Sequence, residues 1–124
     1  MAVSPKTSDY LIALGSNRRH GRFGAPDAVL RAARKALEHE GIAVVAFSPI
    51  AASAPQGPSR RRYANAVALV RAQCAPDELL ARLKALERAF GRKRGGQRWG
   101  VRVLDLDIVL WEQGSWASPG LIVP

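Results

Sequence analysis

Apolar and polar positions recur along this chain with two different periods, which predict two helices and four strands. Apolar residues spaced three and four apart follow Pro26 and Pro76, and a proline suits the first turn of a helix. Gly41 and Gly91 close these two helical patterns, as glycines commonly do. Short apolar runs are typical of buried strands, and they occupy residues 10–14, 42–47, 63–72 and 103–111.

The order of these elements predicts an α+β fold. Strand, helix, strand, strand, helix, strand is the βαββαβ pattern of ferredoxin-like domains, whose antiparallel sheet carries both helices on one face. Residues 1–9 are expected to form a loose leader, and the polar stretches 18–25, 53–62 and 91–101 are predicted loops. We expect residues 1–124 to form one domain, because domains most often have ~100–150 residues.

Composition excludes several classes of protein. A hydrophobic content of 48% supports a packed core rather than a disordered chain. The single cysteine, Cys74, excludes an internal disulfide framework and a multi-cysteine zinc site, and it is expected to be a small buried residue at a strand end. No apolar run reaches the ~18–20 residues of a membrane span, and the N-terminus has no apolar signal core. We therefore expect a cytoplasmic protein without membrane contact.

The formal net charge of +9 arises from three groups of basic residues, at 18–22, 60–62 and 88–102. Outside these groups the chain has more acidic than basic residues. Such groups indicate a polyanionic partner. Charge alone does not distinguish nucleic acid from the phosphates of a nucleotide, an anionic surface or simple solvation of loops.

Asp105 and Asp107 are the sharpest candidates for chemistry. On a strand they share one face, with Cα atoms ~6.6–7 Å apart. Two carboxylates so placed repel unless cations compensate, and hard oxygen ligands on a rigid strand suit Mg²⁺ that carries a nucleotide's phosphates. The alternative is a pair of exposed acids on a solvated sheet face. The opposite face of this strand is expected to pack on the helices through Leu104, Leu106, Ile108 and Leu110.

The neighbouring segments add groups that could hold a phosphorylated or flat ligand. An arginine-rich loop with glycines leads directly into the aspartate strand, and cations beside metal-binding acids are what phosphoryl-type transfer requires. Tyr63 and Trp99 could stack on a flat heterocycle, and Asn65 could hydrogen-bond to its edge. Ordinary packing and edge-strand hydrogen bonding are the alternatives for these three. The sequence contains no Walker A motif, and His20 and His39, without ligand-like spacing, are expected at the surface.

Four segments together resemble a known family, the 6-hydroxymethyl-7,8-dihydropterin pyrophosphokinases of folate biosynthesis. The segments are Tyr10–Asn17, Ser53–Pro58 with Tyr63–Ala66, Leu86–Glu87 with Gly91–Arg92, and Arg98–Arg102 running into Leu104–Asp107. Their order and spacing match from about residue 10 to residue 124. The run R-W-x-x-R-x-L-D-L-D is highly specific to the family.

The resemblance implies a ferredoxin-like fold and the transfer of pyrophosphate from ATP to the pterin hydroxymethyl group, with release of AMP. It also implies that Asp105 and Asp107 bind two Mg²⁺ ions, which bridge the ATP phosphates and the pterin hydroxyl. The residues implied to contact ATP are Glu87, Arg92, Arg94, Trp99 and Arg102, of which Arg92 and Arg102 act in catalysis with the aspartates. The residues implied to bind the pterin are Ser53, Gln56, Tyr63, Asn65 and Trp99.

The chain departs from the family pattern mainly at its C-terminus. Family members continue after the position of Pro124 with a further histidine, aromatic residues, an arginine and additional secondary structure, so we expect a C-terminally short domain. Val101 stands where the family usually has proline, and Ala54 and Gln56 also differ from its pterin loop. A non-catalytic or weakly active homologue that binds ATP with Mg²⁺ or the pterin is therefore an alternative. Apolar surface left uncovered would favour a homo-oligomer.

A small basic nucleic-acid-binding domain of the same fold is a third hypothesis. Asp105 and Asp107 argue against it, because they would repel a phosphate backbone unless they were loaded with metal. The sequence also lacks the paired aromatic residues of the RNA-recognition signature. We therefore expect ATP with Mg²⁺ and hydroxymethyl-dihydropterin as partners, and no nucleic acid.

Overall fold

A computed structural model describes residues 7–16, 24–53, 63–91 and 103–124 of the chain. In chain order the elements are β1 (Ser8–Ser16), α1 (Pro26–His39), β2 (Ala43–Phe47), β3 (Ala51–Ser53), β4 (Tyr63–Ala72), α2 (Pro76–Gly91), β5 (Asp105–Trp111), β6 (Trp116–Ser118) and β7 (Leu121–Val123). Within these described ranges, no helix has the length and apolar character needed to cross a membrane.

The main sheet has the strand order β2–β4–β1–β5, and β3 pairs with β4 beyond the end of β2. Every pairing in it is antiparallel. Strands β6 and β7 form a separate two-stranded hairpin. Two helices on an antiparallel sheet in this order confirm the predicted α+β, ferredoxin-like fold.

One face of the sheet packs against both helices. In β1 and β4 the even-numbered residues are buried and their neighbours are more exposed, which is the period of two expected for a half-covered sheet. The apolar stripe of each helix joins the same core, which contains Ile12 and Val70 from the sheet, Leu30 and Leu37 from α1, and Leu79 and Leu83 from α2. The other face, called the open face below, carries the less buried, odd-numbered residues of β1 and β4.

The helix boundaries follow local rules and agree with the sequence-based prediction. Each helix has a proline in its first turn and acidic residues beside it, where the helix dipole favours negative charge. Asp27 also pairs with Arg31 at 2.7 Å, one turn further along. After α1 the chain turns at Gly41, whose φ of 83° suits glycine. The turn places β2 directly against the sheet.

Four local features differ from the sequence-based prediction. Ser8 and Asp9 begin β1 rather than belonging to a loose leader, and the same strand continues through Gly15, beyond the predicted run of residues 10–14. Strand β3 and the β6–β7 hairpin were not predicted, because runs of three residues are too short to show a period. The leader residues 1–6 and His20 lie outside the described residues, whereas His39 is exposed, as expected.

The expectation that Leu110 packs on the helices was wrong. Leu106 and Ile108 are buried, but the side chain of Leu110 is 49% exposed. The register of β1 against β5 shifts by one residue, because Ile12 pairs with Ile108 while Leu11 pairs with Leu110. An extra residue reverses the alternation beyond it. Trp111 therefore takes the helix side, where its ring stacks with Tyr10 at a centroid distance of 6.4 Å.

Cys74 is 2% exposed and follows the end of β4, as the sequence predicted. Burial raises the pKa of its thiol. Its backbone carbonyl accepts a hydrogen bond from the hydroxyl of Tyr10 at 2.5 Å. Burial also raises the pKa of the Tyr10 phenol, which keeps this donor protonated. The bond ties the start of β1 to the turn between β4 and α2.

Candidate active site

Four neighbouring strands contribute one residue each to a row that crosses the open face. Asn65 in β4 pairs with Gly15 in β1, and Gly15 pairs with Asp105 in β5. On the outer side, Ala51 in β3 pairs with Asn65. Since neighbouring strands lie ~4.8 Å apart, Asn65 and Asp105 stand roughly 10 Å from each other across Gly15. The row therefore places an amide and a carboxylate on either side of a position without a side chain.

Gly15 leaves room between these two polar side chains. A Cβ atom built on Gly15 would lie 3.4 Å from Oδ1 of Asn65 and 4.0 Å from Cβ of Asp105. Any larger side chain would fill the space between the amide and the carboxylate. A glycine inside a strand often marks a place where a ligand comes close to the backbone.

Asp107 lies in the next row of the open face, opposite Ala13 of β1. Asp105 is half-buried and Asp107 is exposed. The residue between them, Leu106, is fully buried on the helix side, and Ile108 follows it there. Both carboxylates are thus carried by a strand that is anchored in the core, as the alternating pattern predicted.

Glu87 fixes the start of this strand from the helix. It lies in α2 with its side chain 13% exposed, and Lys84 approaches its carboxylate at 3.2 Å. Its Oε2 accepts a hydrogen bond of 2.7 Å from the backbone N–H of Leu106, the residue between the two aspartates. Because a charged acceptor makes a strong hydrogen bond, this contact holds the aspartate segment against α2.

Asp105 and Asp107 supply only part of the ligand set that a divalent cation needs. Nowhere in the described ranges do three or more histidine, cysteine or acidic residues form a group that could hold a metal ion. Asp105 and Asp107 provide two carboxylates on one strand face. This set matches Mg²⁺, which is usually bound by one or two carboxylates together with waters and substrate phosphates.

The structure brings only some of the predicted site residues together. Asp105, Asp107 and Asn65 share the open face, whereas Glu87 lies on α2 and contacts the backbone of β5. Ser53 and Tyr63 pair with each other through their backbones, and their side chains are outside the described residues. The remaining predicted site residues also lie outside them, and they are Gln56, Arg92, Arg94, Trp99 and Arg102.

Two features of the site were missed from the sequence. Gly15 lies just beyond the predicted strand of residues 10–14, although a glycine after an apolar run is also a signal of close approach to the backbone. The hydrogen bond from the Leu106 N–H to Glu87 joins residues 19 positions apart. No local sequence pattern predicts a contact between a side chain and a distant backbone group.

A carboxylate pair, an amide and an intervening glycine share the open sheet face, and such a set of groups can bind a metal-bound anion beside a small polar ligand. The model of the 7,8-dihydro-6-hydroxymethylpterin-pyrophosphokinase family matches residues 11–124. The chain belongs to this family.

Individual relatives resemble the chain over most of its length. A Pseudomonas aeruginosa protein named 2-amino-4-hydroxy-6-hydroxymethyldihydropteridine pyrophosphokinase is 40% identical over 115 residues, which are 91% of this chain and 67% of that protein. A Pseudomonas putida protein of the same name is 39% identical over 114 residues, 91% of this chain and 90% of that protein. A mitochondrial folate synthesis bifunctional protein of Arabidopsis thaliana is 36% identical over 125 residues, 98% of this chain and 21% of that protein.

Proposed function

We propose that this chain transfers pyrophosphate from ATP to 6-hydroxymethyl-7,8-dihydropterin and releases AMP, as an enzyme of folate biosynthesis. Membership of the family and the names of the relatives support this activity. The observation that carries the proposal is the row of Asn65, Gly15 and Asp105 across the open face. It offers an amide for the edge of a ring and a carboxylate for the metal of a nucleotide, separated by a residue without a side chain.

The proposed reaction determines which atoms must meet. Release of AMP requires the pterin hydroxymethyl oxygen to attack the β-phosphorus of ATP, while the bond from that phosphorus to the oxygen bridging the α-phosphate breaks. AMP keeps the bridging oxygen, and the hydroxyl proton passes to a base or to solvent. Catalysis of such a step consists mainly of positioning and of neutralising the charge on the phosphate oxygens.

Asp105 and Asp107 would hold the magnesium ions, two in our proposal, through hard carboxylate oxygens. When bound, Mg²⁺ supplies positive charge that stabilises the developing charge on the transferred phosphates. The contribution of the chain is rigidity, since Leu106 is buried between the two carboxylates. Glu87 contributes by holding the Leu106 N–H. Arg92 and Arg102 are proposed to neutralise phosphate oxygens in the same reaction.

The pterin is proposed to bind on the β3–β4 side of the row. Asn65 would hydrogen-bond to the ring edge, because an amide offers both a donor and an acceptor. Tyr63 and Trp99 would stack on the ring, and Ser53 and Gln56 would contribute contacts from the segment that begins with β3. This arrangement leaves the hydroxymethyl group directed across Gly15 towards Asp105.

The ATP is proposed to bind on the β5 side of the row, with Glu87, Arg92, Arg94, Trp99 and Arg102 as its contacts. Glu87 is engaged with Lys84 and the Leu106 N–H, so a role in nucleotide binding would use its remaining acceptor capacity. A homo-oligomeric state, a cytoplasmic location and the absence of a nucleic-acid partner also stay predictions.

The decisive experiment measures AMP formed from ATP by the purified chain, with and without 6-hydroxymethyl-7,8-dihydropterin. We expect AMP only when the pterin and Mg²⁺ are both present. The amount of AMP should equal the amount of pyrophosphorylated pterin, and EDTA should stop the formation of AMP. Formation of ADP would contradict the proposal. Calorimetric binding of ATP and pterin without AMP would support the non-catalytic homologue, which no observation on the described residues favours.

A further inference from the structure

Ser48 lies where the edge of the sheet is interrupted between β2 and β3. Its backbone N–H donates a hydrogen bond of 2.9 Å to the carbonyl of Val67 in β4, as in a regular strand pair. In return, the N–H of Val67 donates to the side-chain Oγ of Ser48, also at 2.9 Å. The hydroxyl thus occupies the place of the backbone carbonyl that would accept this bond in a regular antiparallel pair.

The Ser48 hydroxyl is used as donor and acceptor at the same time. While it accepts from Val67, it donates to the carbonyl of Pro49 at 3.0 Å. Pro49 has no N–H and cannot continue the ladder. Ser48 therefore makes the hydrogen bonds to β4 immediately before Pro49, which has no N–H to donate.

The interruption contains one extra residue. Phe47 pairs with Ala68, and Ala51 pairs with Asn65, so the edge strand has one residue more than β4 between these two pairs. The packing of the side chains is consistent with this extra residue, because Phe47 and Ile50 both pack against the core although they are three positions apart. An extra residue in one strand of a pair is the definition of a bulge.

This extra residue decides what β3 presents to the open face. With a regular register, Ala51 would pair with Ala64, whose side chain is buried on the helix side. With the bulge, Ala51 pairs with Asn65 and joins the row that contains Gly15 and Asp105. A slip of one residue would reverse the faces of the whole segment.

We propose that Ser48 is a positioning residue for pterin binding, because its hydroxyl holds the interruption in place and thereby keeps β3 in register opposite residues 63–65. The inference rests on the proposed function, since it takes the pterin to bind through Ser53, Tyr63 and Asn65. Ser48 touches neither substrate in this proposal and acts only through the position of β3.

The first test follows backbone amides by hydrogen exchange in the unliganded chain. In Ser48→Ala, we expect the Val67 amide to exchange about tenfold faster, and the amides of β3 and of residues 63–65 about three- to tenfold faster, as expected for the loss of one hydrogen bond. Ser48→Thr keeps a hydroxyl at the same place and should restore protection. An effect confined to Val67 would overturn the proposal, because β3 would then hold its register without Ser48.

The second test compares two dissociation constants by calorimetry, for 6-hydroxymethylpterin and for a non-hydrolysable ATP analogue with Mg²⁺. We expect Ser48→Ala to weaken pterin binding about three- to tenfold with the ATP analogue unaffected, and Ser48→Thr to recover it. Ser118→Ala is the matched control, since it removes a hydroxyl that accepts from Trp116 in the distant β6–β7 hairpin. Equal weakening of both ligands would show general destabilisation and overturn the proposal.

The two tests also separate this inference from the proposed function. If wild-type chain does not bind the pterin at all, the proposed function fails, and the exchange measurement still decides whether Ser48 controls β3. If wild-type chain binds the pterin and Ser48→Ala binds it equally well, only the inference about Ser48 fails.

Discussion

Glu87 in α2 accepts a hydrogen bond of 2.7 Å from the backbone N–H of Leu106 in β5. Leu106 separates Asp105 from Asp107, so one partly buried side-chain contact fixes the backbone between the two proposed metal ligands. Glu87 on the helix thus helps to position Asp105 and Asp107 on the strand.

Removing this acceptor should lower the stability of the fold. In Glu87→Ala the Leu106 N–H loses its partner in a largely buried place, so we expect the free energy of unfolding to fall by about 1–3 kcal/mol. Glu87→Gln keeps an oxygen acceptor and should lose much less. Urea unfolding measures both. Glu112→Ala is the matched control, because Glu112 accepts the Asp9 N–H at 2.7 Å in an exposed place. Equal losses at positions 87 and 112 would contradict this account.

The carboxylates of Asp105 and Asp107 should each be essential for turnover. Asparagine keeps the size of the side chain but binds Mg²⁺ poorly, so each substitution to asparagine should lower kcat by ~100- to 1000-fold. The thermal midpoint serves as the folding check. Asp9→Asn is the control on the same face of the sheet but at its other end, where Asp9 in β1 pairs with Arg71 at 2.7 Å. Turnover that is unchanged in either site variant would refute the metal assignment.

Gly15→Ala should separate stability from binding. The new methyl group meets Oδ1 of Asn65 at 3.4 Å, an ordinary contact, so the fold should be retained. The free energy of unfolding should stay equal or rise by about 0.4–1 kcal/mol, because alanine restricts the unfolded chain. The methyl group nevertheless fills the space between Asn65 and Asp105, and we expect the KM for the pterin to rise about tenfold or more. Unchanged kinetics would mean that no ligand approaches Gly15.

Truncation of two leucines of β5 should destabilise the fold to very different extents. Leu106 is fully buried, so Leu106→Ala should lower the free energy of unfolding by about 2–5 kcal/mol. Leu110 lies beyond the register shift and is half exposed, so Leu110→Ala should cost less than about 1 kcal/mol. Denaturant unfolding of the two variants side by side tests the bulge. Comparable losses would indicate that Leu110 packs on the helices after all.

Alkaline pH should weaken the fold through Tyr10. Burial raises the pKa of this phenol above its ordinary value of 10.0. A raised pKa in the folded state means that the stabilisation is complete below pH 10 and is lost as the pH rises above it. Tyr10→Phe should therefore make the fall in unfolding free energy above pH 10 less steep. At neutral pH the substitution should lower the free energy of unfolding by about 1–2 kcal/mol, because the hydrogen bond to the Cys74 carbonyl is lost.

Cys74 needs its own control in that experiment, because burial raises the pKa of its thiol as well. Both proteins are therefore compared with Cys74 replaced by alanine, so that only the phenol differs. A steep alkaline loss that persists unchanged in Tyr10→Phe would assign the effect to another group.

Much of the fold was predictable because its signals are local. The helices from Pro26 and Pro76 and the strand from Tyr63 appear where the periods and the turn residues placed them. The shared face of Asp105 and Asp107 followed from the two-residue period of a strand. The exposure of Leu110 did not, since it depends on how β5 pairs with β1.

The sequence by itself determined the order of the elements, the acidic pair and the motifs that match the family, because periodicity and motif spacing are properties of neighbouring residues. Only the tertiary structure decided that Gly15 separates Asn65 from Asp105 and that Glu87 holds Leu106. It also decided that Ser48 bonds to Val67 where the edge strand is interrupted. These relationships join residues distant in the chain through strand register and backbone hydrogen bonds, which are set only when the sheet is assembled.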